Sequence, residues 1–79
     1  MDLYISTEGA SIAIQKNSFL VKTKEKSIIL SPEKIETIIL ECNSSISTSA
    51  IKLAMEHNIS IAISDSYGNL VGHFCKLNY

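Results

Sequence analysis

The sequence contains no arginine, and all seven of its basic residues are lysines. Arginine is the usual residue for two-pronged contacts to phosphate or guanine, so its absence argues against a stand-alone sequence-specific DNA-binding protein. The formal net charge of −1 likewise gives no general attraction to nucleic acid or to acidic lipid.

Cysteine is also scarce, since only Cys42 and Cys75 occur and they are far apart. Two cysteines are too few for the disulfide framework of a small secreted protein, and neither belongs to a C-x-x-C pair or a zinc-ligand spacing. We interpret both as ordinary thiols in a reducing cytoplasm. The N-terminus has no signal-peptide pattern, and no apolar run approaches the ~20 residues of a membrane span. A cytoplasmic protein without membrane contact is therefore expected.

Apolar residues, by contrast, are abundant in this short chain. They make up 46% of the 79 residues, against 19% charged, which is typical of one small globular domain. A chain of this size buries only about 60% of its unfolded surface. Some apolar side chains are therefore expected to cover a contact with another chain or domain.

The pattern of the first third predicts β-strands in a meander. Segments 3–5, 11–15, 19–22 and 27–30 are β-prone, and the clearest of them alternate apolar with small or polar residues. Lys16-Asn17 and the Lys24-Glu25-Lys26 segment suit the turns of two hairpins.

The rest of the chain predicts one main helix between strands. Ser31-Pro32 starts a single helical turn, and residues 35–40 form a strand that is apolar on both faces and therefore central. A helix is predicted over 47–58, capped by Ser47 or Thr48 and closed by Asn58 in a left-handed conformation. Strands at 59–64 and 70–74 flank a turn at 65–69. The fold class is thus α+β, mainly β, with hairpins forming a sandwich-like domain around one α-helix.

Several polar residues in the second half of the chain are of types that occur in catalytic and metal sites. Glu56, His57, Asp65 and His73 include metal-binding types, but adjacent Glu56 and His57 face different directions on a helix, and Asp65 suits a turn. N-capping accounts for the serine and threonine at 47–49 without a nucleophile. No catalytic, cofactor-binding or metal-binding residue is therefore predicted in this chain.

Three lysines surround the second hairpin turn: Lys22, Lys24 and Lys26. Lys22 and Lys24 would share one face if the strand continued past Lys22. They could contact a DNA backbone as point charges, or they could simply be a solvated hairpin tip. DNA-backbone contact by these three lysines is kept as a hypothesis.

The ordered set of segments resembles the N-terminal domain of the CRISPR-associated endonuclease and integrase of spacer acquisition, the Cas-one family. The matching pieces are the Leu3-Tyr4-Ile5 opening, the Leu30-Ser31-Pro32 stretch through Ile38, the Ile-Ser-Thr helix entry at 46–48, the His57-Asn58-Ile59 exit and Gly68 to Gly72. Each piece alone is weak, but together they span nearly the whole chain in the family's order. Asn58 stands where the family usually has glycine, and both residues accept a left-handed conformation.

The resemblance implies an assembly role for this chain. Family members are metal-dependent DNA integrases whose glutamate, histidine and aspartate ligands lie in a helical C-terminal domain, which would begin beyond Tyr79. Residues 1–79 would then be the N-terminal β-rich dimerisation domain, without activity of its own. The implied partners are a second copy in a homodimer, the second adaptation subunit (Cas-two) and double-stranded DNA. Magnesium or manganese is expected only in the missing domain.

Two other hypotheses stay open on the sequence alone. One is a stand-alone small α+β protein-interaction module with no enzymatic role. The other is a small metal-dependent nuclease that uses the scattered acids and histidines.

Overall fold

The computed structural model describes residues 1–65 and 67–74. Eight strands, a single 3₁₀ turn at Pro32–Lys34 and one α-helix follow one another along this part of the chain. The strands are β1 (Asp2–Ile5), β2 (Ser11–Gln15), β3 (Ser18–Lys22), β4 (Ser27–Leu30), β5 (Thr37–Leu40), β6 (Ser45–Ile46), β7 (Ser60–Ser64) and β8 (Leu70–Phe74), and the helix is α1 (Thr48–Glu56).

Two four-stranded sheets form the domain. Sheet 1 has the order β1-β5-β7-β8, in which the first three strands are parallel and β8 is antiparallel to β7. Sheet 2 has the order β4-β3-β2-β6, with antiparallel pairing except between β2 and β6. The two-residue turn of the β2–β3 hairpin places Lys16 and Asn17 at positive φ, a conformation that asparagine accepts well.

The core lies between the two sheets and under the helix. Alternate residues of sheet 1, such as Ile38 and Ile61, point inward to meet Phe19 and Ile12 of sheet 2, and all four are fully buried. Helix α1 adds Leu53 and two alanines to this cluster. The apolar alternation of each strand therefore fixes which face is inside.

The helix begins and ends as its sequence predicts. The Ser47 hydroxyl accepts a 3.1 Å hydrogen bond from the Ala50 N–H, which satisfies one of the free donors of the first turn. Asn58 follows the helix at φ +57, and its N–H donates to the Met55 carbonyl. Strand β7 can therefore start immediately and run parallel to β5, which makes β5, α1 and β7 a β-α-β crossover.

The prediction for the first third was wrong in one respect. Strands β2, β3 and β4 form the expected meander, but β1 leaves it and pairs in parallel with β5. Its Leu3 and Ile5 pack against the core beside Ile38 and Leu40, which are distant in sequence. The short strand β6 was also not predicted, because two residues carry no periodic signal.

Candidate assembly site

One face of sheet 1 is left open by the topology. Strands β1, β5 and β7 follow one another in a single direction across the sheet, and crossovers between parallel strands are almost always right-handed. Both connections therefore pass over the same face, which sheet 2 and α1 cover. The opposite face has no covering element among the described residues, and we call it the open face.

The open face has a central row of side chains in which a histidine follows three largely apolar residues. Tyr4, Ile39, Ala62 and His73 lie opposite one another across the four strands, so the row crosses the whole sheet. The side chain of Tyr4 is 59% exposed, although β1 is a strand of a parallel pair. Parallel strands are usually covered on both faces, so exposed apolar side chains here are unusual for an isolated domain.

A groove crosses this face between its two edge strands. It has a volume of about 310 Å³ and is bordered by Tyr4 on β1 and Leu70 on β8. Its lining between them includes Ile39, Glu41, Ala62 and Ser64. Leu70 is 64% exposed. The Ser64 hydroxyl is buried but has no hydrogen-bond partner among the described residues. The face thus combines protruding apolar side chains with a recess and an unsatisfied polar atom.

The turn between β7 and β8 lines one end of the groove through Gly68. Asp65 accepts hydrogen bonds from the backbone N–H groups of Tyr67 and Asn69, both at 2.9 Å. The Asn69 backbone N–H above all, with that of Tyr67 and the Asn69 side chain, holds the pKa of Asp65 below its ordinary value despite some desolvation. Gly68, at φ +84, lines the groove in a conformation that favours glycine. Asp65 is therefore a structural residue of this turn.

The open face as a unit could not be predicted from local sequence patterns, because it joins side chains of four strands. The pattern predicts strands at 59–64 and 70–74 but does not specify which of their side chains share a face. In the structure Leu70 lies opposite Ser64 on the open face, where a bulge shifts the register between Ile63 and Ser64. The available signal was the unbroken apolar run at Ile38-Ile39-Leu40, which gives β5 a second apolar face.

The three candidate DNA-binding lysines lie at the tip of the β3–β4 hairpin. The Thr23 hydroxyl orders this turn by accepting from the Lys26 N–H at 3.2 Å. Strand β3 ends at Lys22, so the strand does not continue to Lys24 as a shared lysine face would require. A cavity at the tip is lined by Lys24 and Lys26 but also by Glu8 and Glu25. These carboxylates offset part of the positive charge, and DNA contact stays a prediction.

The residues considered for metal chemistry do not come together. Glu56 is on α1, His57 caps it, Asp65 is committed to its turn, and His73 lies on the open face. Among residues 1–65 and 67–74, no three His, Cys, Asp or Glu side chains are grouped to hold a metal ion. The residues present in this part of the chain therefore do not fit a metal centre.

Cys42 lies beside the carboxyl end of β1. Its thiol donates to the Ile5 carbonyl at 3.5 Å. Partial burial, with the negative charges of Glu8 and Glu41, raises the pKa of the Cys42 thiol. A raised pKa keeps a thiol protonated and poorly nucleophilic, which suits an ordinary packing residue. Cys75 lies outside the described residues.

This two-sheet architecture is that of the N-terminal part of Cas1 proteins. A Cas1 protein from Thermotoga maritima superposes over 100% of this chain and 26% of its own, with a TM-score of 0.85 and 16% identity. A partial Cas6-RT-Cas1–Cas2 complex matches 99% of this chain and 24% of that chain, with a TM-score of 0.85 and 21% identity. A casposase bound to its integration product matches with a TM-score of 0.80 and 20% identity, over 99% of this chain and 24% of its own.

Sequence comparison shows the family. The model of the CRISPR associated protein Cas1 family matches residues 3–79. CRISPR-associated endonuclease Cas1 2 of Saccharolobus solfataricus is 38% identical over 64 residues, which are 81% of this chain and 21% of that protein. The chain belongs to the Cas1 family, as the ordered segments in its sequence indicate.

The matched region is a small part of those relatives. The chain spans about a fifth of the Saccharolobus protein and about a quarter of the Thermotoga protein. Within the described residues, α1 is far too short and too polar to cross a membrane.

Proposed function

We propose that this chain is the N-terminal assembly domain of a CRISPR adaptation integrase and that it forms a homodimer. The observation that supports this most directly is the open face of sheet 1. Exposed apolar side chains around a groove on a face of parallel strands present surface that folding of this domain alone does not bury. Such a surface suits a protein partner better than a substrate.

The chemistry of the proposed integrase lies outside this domain. Family membership supports a metal-dependent DNA endonuclease that inserts new spacers into a CRISPR array. Two of the polar residues that could serve chemistry have structural roles instead, since Ser47 caps the helix and Asp65 orders a turn. Magnesium or manganese would be held by the remaining part of the protein, and residues 1–79 would be inactive alone, in the cytoplasm.

Two further partners follow from the same proposal. Similar structures include a Cas1–Cas2 complex and a DNA complex of another Cas1 protein, which supports a second adaptation subunit and duplex DNA as partners of the complete protein. Lys22, Lys24 and Lys26 are the candidate DNA contacts of this domain. The offsetting carboxylates of Glu8 and Glu25 predict that this contact is modest.

A cleavage assay separates assembly from catalysis. The 79-residue chain is incubated with duplex and single-stranded DNA in the presence of Mg²⁺ or Mn²⁺, beside the longest form of the protein available. We expect no cleavage by the chain alone. Metal-dependent cleavage that disappears in a His73→Ala or Glu56→Gln variant would contradict the proposal and support a small nuclease.

A further inference from the structure

We propose that strand β4 is a docking edge for an extended segment of a protein partner, which adds a further strand to sheet 2. The inference concerns a different surface from the open face and does not depend on the proposed homodimer. The chemistry of the edge defines the partner segment. It is a β-strand that directs one apolar side chain inward and carries an acidic residue at the end that lies beside Lys26.

The backbone of β4 leaves one row of hydrogen-bonding groups unused. In the part of the chain that the structure describes, β4 is an outer strand of sheet 2. The Thr23 N–H donates to the Lys26 carbonyl at 2.8 Å, which makes these two residues a hydrogen-bonded pair. Bonded pairs alternate along an antiparallel ladder, so the backbone of Ile28 bonds to β3. Ser27 and Ile29 therefore direct their N–H and C=O groups away from β3.

Strand β4 has none of the features that protect an edge strand from pairing. Its four residues include no charge and no proline, and its register with β3 has no bulge. Its first three residues are exposed, and Ile29 has 56% of its surface exposed on the outer side of the sheet. The other outer strand of sheet 2, β6, has only two residues. Because an apolar, unprotected edge pairs readily with another strand, β4 is the edge at which sheet 2 can be extended.

A recess beside this edge fits one side chain of an added strand. It has a volume of about 170 Å³ and lies where β4 approaches β1, with Leu3, Val21 and Ile28 among its lining. Sites for small molecules usually have about 300–1,000 Å³, so this recess is too small for one. Ile28 lies opposite the buried Val21 yet remains 39% exposed, so the recess is open beside β4. In strand addition the backbone bonds supply affinity, and a recess for an alternate side chain supplies specificity.

The charges at one end of the edge favour an acidic residue of the partner. Lys26 directly precedes β4 and lines the recess, and Lys24 lies in the same turn. Lys22 adds a third positive charge at the end of β3. The carboxylates of Glu8 and Glu25 also lie at this end and offset part of that charge. Three lysines against two glutamates leave a positive balance, so the preference for an acidic residue is modest at this exposed position.

Synthetic peptides test the docking edge from the partner's side. The probe is a fluorescent peptide of about ten residues, in which valine and threonine alternate around a central leucine and a glutamate stands at each end. Fluorescence anisotropy with the 79-residue chain should give a dissociation constant of about 10–100 µM. The same peptide with its central backbone nitrogens methylated lacks donors for the ladder and should bind at least about tenfold more weakly. A peptide with lysines at both ends should bind about two- to fivefold more weakly, and equal or tighter binding would overturn the acidic preference.

Two substitutions at one position test the edge from the protein's side. Ile29→Pro removes an outward N–H of β4 without removing a bond to β3, whereas Ile29→Ala shortens the side chain and keeps that N–H. We expect Ile29→Pro to raise the dissociation constant of the probe at least about tenfold and Ile29→Ala to raise it no more than about threefold. Circular dichroism checks that each variant folds, and Ser27→Pro replaces Ile29→Pro if that variant unfolds.

The outcomes distinguish the possible occupants of the edge. Binding that survives both N-methylation of the peptide and Ile29→Pro overturns the inference, as does the absence of binding up to about 1 mM chain. A dimer of the unliganded chain that dissociates with Ile29→Pro assigns the edge to a second copy and also overturns it. The proposed homodimer is tested separately by the mass of the unliganded wild-type chain, so the two failures are distinguishable.

Discussion

Replacing Ile61 with alanine tests the packing on which the open face depends. Ile61 is at the centre of β7, is 0% exposed, and pairs with the equally buried Ile38 of β5. The substitution removes three carbon groups, worth about 0.8 kcal/mol each in transfer free energy, and it leaves a cavity. We expect a loss of about 3–4 kcal/mol in the free energy of unfolding.

That loss is large for so small a domain. At roughly 0.05–0.15 kcal/mol per residue, a chain of this length has a total stability of about 4–12 kcal/mol. Urea unfolding followed by circular dichroism should show the midpoint falling by about 2–3 M at a slope of about 1.3 kcal/mol per M. Protein concentration is held fixed, because dimerisation adds to apparent stability. Ile29→Ala, at an exposed position, is the matched control and should cost below about 1 kcal/mol. Equal losses in the two variants would refute the assigned inner face of β7.

Three further predictions concern the hairpin lysines, the β7–β8 turn and the helix end. Replacing Lys22, Lys24 and Lys26 with alanine in the longest available form should reduce the slope of log binding constant against log salt concentration by up to about 2.7, at about 0.9 per phosphate contact. The control Lys16→Ala/Lys34→Ala/Lys52→Ala removes the same charge and should leave the slope unchanged. An unchanged slope in the first variant contradicts the contact. Asp65→Ala should lower the melting temperature at neutral pH. Hydrogen bonds depress the pKa of Asp65, so the stabilisation from its charge is complete above the ordinary carboxyl pKa of about 4 and is lost as pH falls through the lower native pKa. The difference in melting temperature between variant and wild type should therefore vanish in acid. A difference that persists in acid would contradict the role of the charge. In urea unfolding, Asn58→Gly should leave the free energy of unfolding nearly unchanged, whereas Asn58→Ala should lower it by about 1 kcal/mol. An alanine variant as stable as wild type would contradict the left-handed conformation at the helix end.

Local signals predicted the local elements of this fold. The helix is accurate to within about two residues at each end because Ser47 is a good N-cap and Asn58 a good left-handed terminator. The β2–β3 hairpin follows equally from Lys16-Asn17 and the alternation around it. In each case the determinant lies within a few residues of the element that it defines.

Long-range pairing could not be predicted in the same way. Strand β1 is as β-prone as its neighbours in sequence, and nothing within it specifies that Leu3 lies opposite Ile38 rather than against β2. The open face depends on that pairing, because Tyr4 and Ile39 become neighbours only when β1 joins β5. The bulge that turns Leu70 to the open face is likewise decided by sheet geometry.

The central claim is that this chain assembles through its own fold. Sedimentation equilibrium of the wild-type 79-residue chain from about 1 µM to about 100 µM tests it most directly. We predict a concentration-dependent rise in mass to twice that of the single chain, with half-association in the micromolar range. A mass equal to one chain across that whole range would contradict the account.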